Sequence, residues 1–120
     1  MTLDQLRKYL IKKKGTTEEL PFGPQALVFK VLGKMYALVA WEADPLYVSL
    51  KCDPDKAAAL RGAYPAIRPA YHMNKTHWNM VYMDCTVDDD HVCELIDHSY
   101  QLVADSLKKA EQEILGLHKK

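Results

Sequence analysis

Cysteine is scarce in this chain: Cys52, Cys85 and Cys93 form an odd set with no close pair. A disulfide framework or a zinc knuckle needs paired, closely spaced thiols, so neither is expected. The three read as reduced thiols, buried or half-buried, in a cytosolic protein. Glycine is sparse too: five residues lie scattered, and none forms a phosphate loop or a dinucleotide fingerprint. No serine sits in a nucleophile-elbow pattern. The longest apolar run, Met35 to Trp41, is far too short to span a bilayer. The opening Met1-Thr2-Leu3-Asp4 has none of the features of a signal peptide. Net charge is absent as well, with 16 basic and 16 acidic residues. That balance counts against an ordinary nucleic-acid binder, since such domains are usually basic. The resulting expectation is a cytoplasmic monomer without cofactor, and not an enzyme, because no acid–base pair or nucleophile stands out.

What is present is a globular balance, with 48% hydrophobic and 27% charged residues over 120 positions. A chain of this length fits one domain, here residues 1–120, with 111–120 extending or fraying its last helix. It can bury about two-thirds of its unfolded surface, so no metal or disulfide staple is required. The charge is uneven although its sum is zero. Residues 1–14 carry +4, residues 15–50 carry −2, and residues 51–83 carry +3. Residues 84–98 hold six carboxylates and no Lys or Arg, while 99–120 carry +1. A positive face is therefore available away from 84–98.

Thr2 with Gln5 is a capping-box pattern, and Leu3, Leu6 and Leu10 fall at helical spacing before Gly15, which predicts a helix over 2–14. Lys12, Lys13 and Lys14 crowd its C-terminal end, where the helix dipole favours cations. Two prolines and Gly23 make Thr16 to Pro24 a loop with at most one helical turn. Ala26 to Leu32 and Met35 to Trp41 predict two strands joined by a type II′ turn at Gly33-Lys34. Leu46 to Lys51 predicts a third strand, with Val48 and Leu50 on one side and Tyr47, Ser49 and Lys51 on the other. Asp53-Pro54 starts a helix that reaches Tyr64, with Ala57 and Leu60 inward. Pro65 and Pro69 bracket an extended piece, Asn74-Lys75 forms the tip of a second hairpin, and the chain returns through Trp78 to Asp84. Asp88, Asp89 and Asp90 open a long helix to about Lys109, with Val92, Leu95, Ile96, Val103 and Leu107 as its apolar stripe. The order α-β-β-β-α-β-β-α defines an α+β fold, helices packed on an antiparallel sheet of about five strands.

Few residues offer chemistry. His72 and His77 are five apart across a turn, and His91 and His98 lie two turns apart on a helix. Neither spacing is a ligand signature, so no metal is expected. The segment Pro69-Ala70-Tyr71-His72-Met73-Asn74-Lys75-Thr76-His77-Trp78-Asn79 is different. It gathers amide, basic, imidazole and aromatic groups into a predicted exposed turn. Phosphate binding draws on Lys, Asn and backbone amides, and aromatic faces can stack on bases or sugars. Tyr71 and Trp78 read first as core anchors that keep a polar handle. Lys75 and His77 read equally well as turn residues or as contacts.

Five pieces in order resemble the MmcQ/YjbR family, and the likeness covers nearly the whole chain. They are Pro21-Phe22-Gly23; Val28-Phe29-Lys30-Val31 with Gly33-Lys34-Met35; Ser49-Leu50-Lys51-Cys52; Tyr71-His72-Met73-Asn74-Lys75 with His77-Trp78-Asn79; and Leu95-Ile96-Asp97-His98-Ser99-Tyr100. That family is described as carrying a double-wing DNA-binding motif on a CyaY-like (frataxin-like) fold. The resemblance implies DNA as partner, with phosphates contacted from two hairpin wings and little base-specific readout. Lys34 and Lys75 would stand at the wing tips, with Lys30, Lys51 and Arg68 as flanks and Asn74 and His77 beside them. Ala70 stands where the family usually has glycine, so a positive φ is not needed there. Thr76 stands where Lys is common, which removes a positive charge. The alternative is a protein-interaction or small-ligand surface lined by Tyr71, His72 and Trp78 with Asn74 and His77. Frataxins bind iron through acidic helices, but the first helix here is basic, so the resemblance of fold transfers no iron site.

Overall fold

Helix α1 (Leu3–Ile11) begins at a capping box: Thr2 Oγ1 accepts the Gln5 N–H at 3.2 Å and Gln5 Oε1 accepts the Thr2 N–H at 2.8 Å. In the computed structural model, which describes residues 1–21, 23–71 and 73–116, this helix is shorter than the predicted 2–14. The candidate residue His72 lies outside the described residues, as does Phe22. The chain turns at Gly15, φ +76°, and enters strand β1 (Thr16–Glu19), where a loop was expected. Thr-Thr-Glu-Glu has no apolar alternation to announce a strand. It is held by its antiparallel ladder to β2 (Leu27–Val31) and by two ion pairs, Glu18 to Arg7 at 2.7 Å and Glu19 to Lys30 at 3.0 Å. A short charged strand at a sheet edge also discourages pairing with another chain.

Strands β2 and β3 (Lys34–Ala40) are joined through Leu32 and Gly33, at φ 45° and 89°. Two positive values are the sign pattern of type I′, which corrects the expected type II′ turn at Gly33-Lys34. Further along the hairpin, Phe29 pairs with Ala37 but Lys30 pairs with Met35, so Tyr36 is an extra, bulged residue. Its side chain goes inward: the hydroxyl donates to the Leu10 carbonyl at 2.9 Å, and the ring meets that of Tyr100 edge-on at 5.2 Å.

Strands β4 (Tyr47–Lys51), β5 (Ile67–Pro69) and β6 (Trp78–Tyr82) complete the sheet. Among the described residues it has six antiparallel strands, ordered β1-β2-β3-β4-β6-β5, one more than the sequence suggested. A row of Leu27, Val39, Val48, Val81 and Ile67 crosses five of them in register, and all five side chains are buried. Helix α2 (Pro54–Ala63), capped by Asp53 Oδ2 accepting the Lys56 N–H at 3.3 Å, packs against β5 and β6. Helix α3 (Asp89–Asp105) lies across β2, β3 and β4, while α1 meets β1.

The predicted helix to Lys109 stops early, at Ser106, and a separate α4 (Lys109–Leu115) follows. No Gly or Pro marks this break. Ser106 Oγ instead donates to the Val103 carbonyl at 2.6 Å, the competition with helix hydrogen bonding that serine is prone to. Gln112 Nε2 reaches back to the Asp105 and Leu107 carbonyls, and Leu107 and Leu115 both enter the core. Burying both leucines requires the chain to turn between them. Among the described residues no helix is long and apolar enough to cross a membrane.

Candidate functional site

The helices cover one face of the sheet, and strand alternation assigns the other. Opposite the core row stand Val28, Leu38, Ser49, Met80 and Arg68, in register across five strands. On the same side Lys51 pairs with Trp78, Tyr47 with Tyr82, and Lys30 with Met35. This free face is partly walled by the β5–β6 connection. Ala70 and Met73 from that connection join Met35, Leu38, Tyr47, Ser49 and Met80 around a groove of about 350 Å³.

The candidate cations divide. Lys51 and Arg68 stand on the free face, Lys51 half-buried and Arg68 exposed. The Arg68 guanidinium lies 4.9 Å from the Tyr82 ring centre, and its Nε donates to the Pro65 carbonyl at 3.3 Å. Tyr82 in turn packs on Tyr47, with ring centres 5.1 Å apart. Lys30 is on this face too, but its charge is engaged by Glu19 at 3.0 Å. Lys34 is not. Expected at a wing tip beside Lys75, it pairs with the inward-facing Val31, and its Nζ donates to the Ser106 carbonyl at 3.3 Å on the helix side. The Tyr36 bulge shifts the alternation by one residue and turns Lys34 away. The two hairpins therefore do not present Lys34 and Lys75 to one surface.

The Pro69–Trp78 segment is more built than a simple tip. Asn74 Oδ1 accepts the Thr76 N–H at 2.9 Å, and the Asn74 carbonyl accepts from the His77 and Trp78 N–H groups at 3.1 and 2.9 Å. Asn74 thus shapes the turn with its own polar groups. The His77 carbonyl accepts the Cys52 N–H at 2.7 Å, and the His77 side chain is half-buried. Lys75 is exposed, with its ammonium 5.3 Å from the Tyr71 ring centre. Tyr71, expected as a core anchor, is 58% exposed. Trp78 is half-buried and stands on the free face outside the main core cluster.

Sequence reasoning missed Arg61. Its Nη1 donates to the Lys75 carbonyl at 2.8 Å and to Asn79 Oδ1 at 3.2 Å, fastening the connection to α2. It also missed Tyr82 and the three methionines of the groove. Period-two reading from Trp78 would have put Met80 and Tyr82 on the same face of their strand as Trp78.

His98 and His91 have structural partners. His98 Nε2 accepts the Asp53 N–H at 3.2 Å, and its pKa is lowered, chiefly by burial and then by nearby Lys56. His91 packs on Tyr64 with ring centres 5.3 Å apart. Burial pushes the Cys52 and Cys93 thiols up, which disfavours the thiolate, while Cys85 is exposed rather than packed as expected. Among the described residues no group of three His, Cys, Asp or Glu is placed to share a metal ion.

Fold and site together define a class: a small α+β protein whose antiparallel sheet is covered by helices on one face and carries on the other an apolar groove with cationic and aromatic side chains beside it. The YjbR family model matches residues 11–102, and the chain belongs to the YjbR family. It is 40% identical over 93 residues to the Escherichia coli O157:H7 protein YbdF, covering 78% of this chain and 76% of YbdF. It is 32% identical over 115 residues to YjbR of Escherichia coli K12, covering 96% of this chain and 98% of YjbR. The crystal structure of Deinococcus radiodurans protein DR2400, a DUF419 domain, superposes with a TM-score of 0.90 at 44% identity, covering 98% of this chain and 89% of that one.

Proposed function

We infer that this protein binds DNA through the free face of its sheet, without catalysing a reaction. One observation carries the reading: the distribution of charge between the two faces. Lys51 and Arg68 stand on the free face, and Lys75 stands on the connection that walls it. The one carboxylate among the described strand positions of that face is Glu19, already paired with Lys30. Most of the acidic stretch sits elsewhere, with Asp89, Asp90, Glu94 and Asp97 on α3 behind the sheet, although Asp84 lies within electrostatic reach of Arg68. Zero net charge is thus compatible with a locally cationic surface. Family resemblance to double-wing DNA-binding proteins supports the same reading, with the surface relocated from two tips to the sheet between them.

The test is a salt-titrated binding assay on labelled DNA. Three phosphate contacts give a slope of log K against log salt of about −2 to −3, and losing one contact reduces it by about one. Arg68→Glu and Lys51→Glu are expected to show that loss, and Lys34→Glu to leave the slope unchanged. Salt-independent affinity, or equal losses in all three variants, rules the reading out.

A second reading has one observation in its favour. The groove lining is almost wholly apolar and includes Ala70 and Met73 of the Tyr71–Trp78 neighbourhood. A protein segment or small apolar ligand held there binds independently of salt and is lost in a folded Trp78→Ala variant.

A further inference from the structure

The free face holds a groove that phosphate contacts alone do not explain. Its six larger lining side chains are Met35, Leu38, Tyr47, Ser49, Met73 and Met80. No charged group lines it, so a phosphate placed there would lose its water without compensation. A flat, weakly polar body larger than one side chain fits it better, and thioether side chains adapt readily to such surfaces. Ser49 supplies the one side-chain hydroxyl among the lining residues besides that of Tyr47.

Rings and cations alternate around the rim. Lys75 lies 5.3 Å from the Tyr71 ring centre and Arg68 lies 4.9 Å from that of Tyr82. Tyr82 packs on Tyr47, and Lys51 is the register partner of Trp78. Aromatic faces beside cations suit a strand with unstacked bases, which offers a base and a phosphate at each step. A duplex keeps its bases stacked and interior, so it cannot fill an apolar groove without paying for unstacking. Among the described residues Lys51, Arg68 and Lys75 make no ion pair, and three cations match a short single-stranded stretch.

Resting on the DNA-binding reading, we propose that the ligand is single-stranded DNA, with one unpaired base lodged in the methionine groove and neighbouring phosphates on Lys51 and Arg68. A 2′-hydroxyl beside the apolar lining of this groove would lose water with few partners in reach, which favours deoxyribose over ribose.

The experiment compares labelled oligonucleotides of about 12 nucleotides as single strand, as duplex and as RNA, each titrated with salt. The single strand is expected to bind at least about tenfold more tightly than the duplex, the effect of one well-stacked base. Filling the groove with Ser49→Leu is expected to bring single-strand affinity down to the duplex level while leaving the salt slope intact. In a Trp41→Phe background, single-stranded DNA is also expected to quench the fluorescence of Trp78. That second readout keeps the proposal testable should Ser49→Leu fail to fold. Duplex or RNA binding as tight as single-stranded DNA, or an unquenched Trp78, overturns the groove assignment and leaves the DNA-binding reading standing. No salt-dependent binding to any of the three overturns both.

Discussion

Replacing Ser99 with alanine should cost this fold far more than the loss of one hydroxyl suggests. Ser99 is fully buried in the middle of α3. Its Oγ donates to the Tyr36 carbonyl at 2.6 Å and accepts the Lys51 N–H at 2.9 Å. Those two backbone groups lie just beyond the Ala37–Leu50 pair, where the β3–β4 ladder stops. The Tyr36 bulge opens a gap there, and the serine hydroxyl bridges it. In Ser99→Ala both backbone groups lose their partner in a largely buried place, at roughly 1–3 kcal/mol per group. Because the Lys51 amide is only partly buried, the expected total is about 3 kcal/mol. For a chain of this length that lowers Tm by about 12 °C. Urea and thermal unfolding followed by circular dichroism measure both quantities. A loss below about 0.5 kcal/mol would mean that the strands close the gap directly or that water enters it. The bridge would then not be what holds β4 in place. The same variant reaches the site, since the Lys51 backbone is clamped from the helix side while its side chain stands on the free face.

Further outcomes follow from the same contacts. Asp53→Ala removes the α2 cap and should cost about 1 kcal/mol in urea unfolding. His98 is held neutral in the folded protein, with its pKa below the ordinary value mainly because of burial. Its contribution is therefore complete above the unfolded pKa of about 6.5 and is lost as pH falls through the lower folded value. The urea midpoint should drop as pH falls below the unfolded value of about 6.5, and His98→Gln should flatten that part of the profile. Arg61→Ala frees the Lys75 and Asn79 contacts, so amide hydrogen exchange should quicken in the β5–β6 connection while the central strands stay protected.

Much of this architecture could be read from residues alone, wherever a local signal agreed with tertiary burial. Thr2–Gln5 and Asp53-Pro54 marked helix starts because capping is chemistry between near neighbours. The alternation in β4 gave both its faces correctly, since one face is sealed by helices. Strand β1 stayed hidden because its stability comes from a ladder and from ion pairs to distant residues. The α3–α4 break stayed hidden because Leu115 is drawn inward by the core rather than by a turn residue. The candidate site was legible as a partial list of residues, among them Lys51, Arg68 and Lys75, but not as a surface. A single bulged residue, Tyr36, sends Lys34 to the opposite face, and nothing in a hairpin pattern announces a bulge. Tyr47, Tyr82 and the methionines became a groove only once β4 was seen to neighbour β6, a pairing between strands separated by a helix.

Mapping the contact face residue by residue tests the DNA assignment most directly. Amide chemical shifts of the ¹⁵N-labelled protein, followed while unlabelled DNA is added, report which surface is touched. Binding through the free face predicts that shifts concentrate at Tyr47 to Lys51, Arg68, Lys75 and Trp78 to Tyr82, and that they recede as salt is raised. Shifts centred instead on Lys8 to Lys14 and Lys34, or none in excess DNA at low salt, would contradict it.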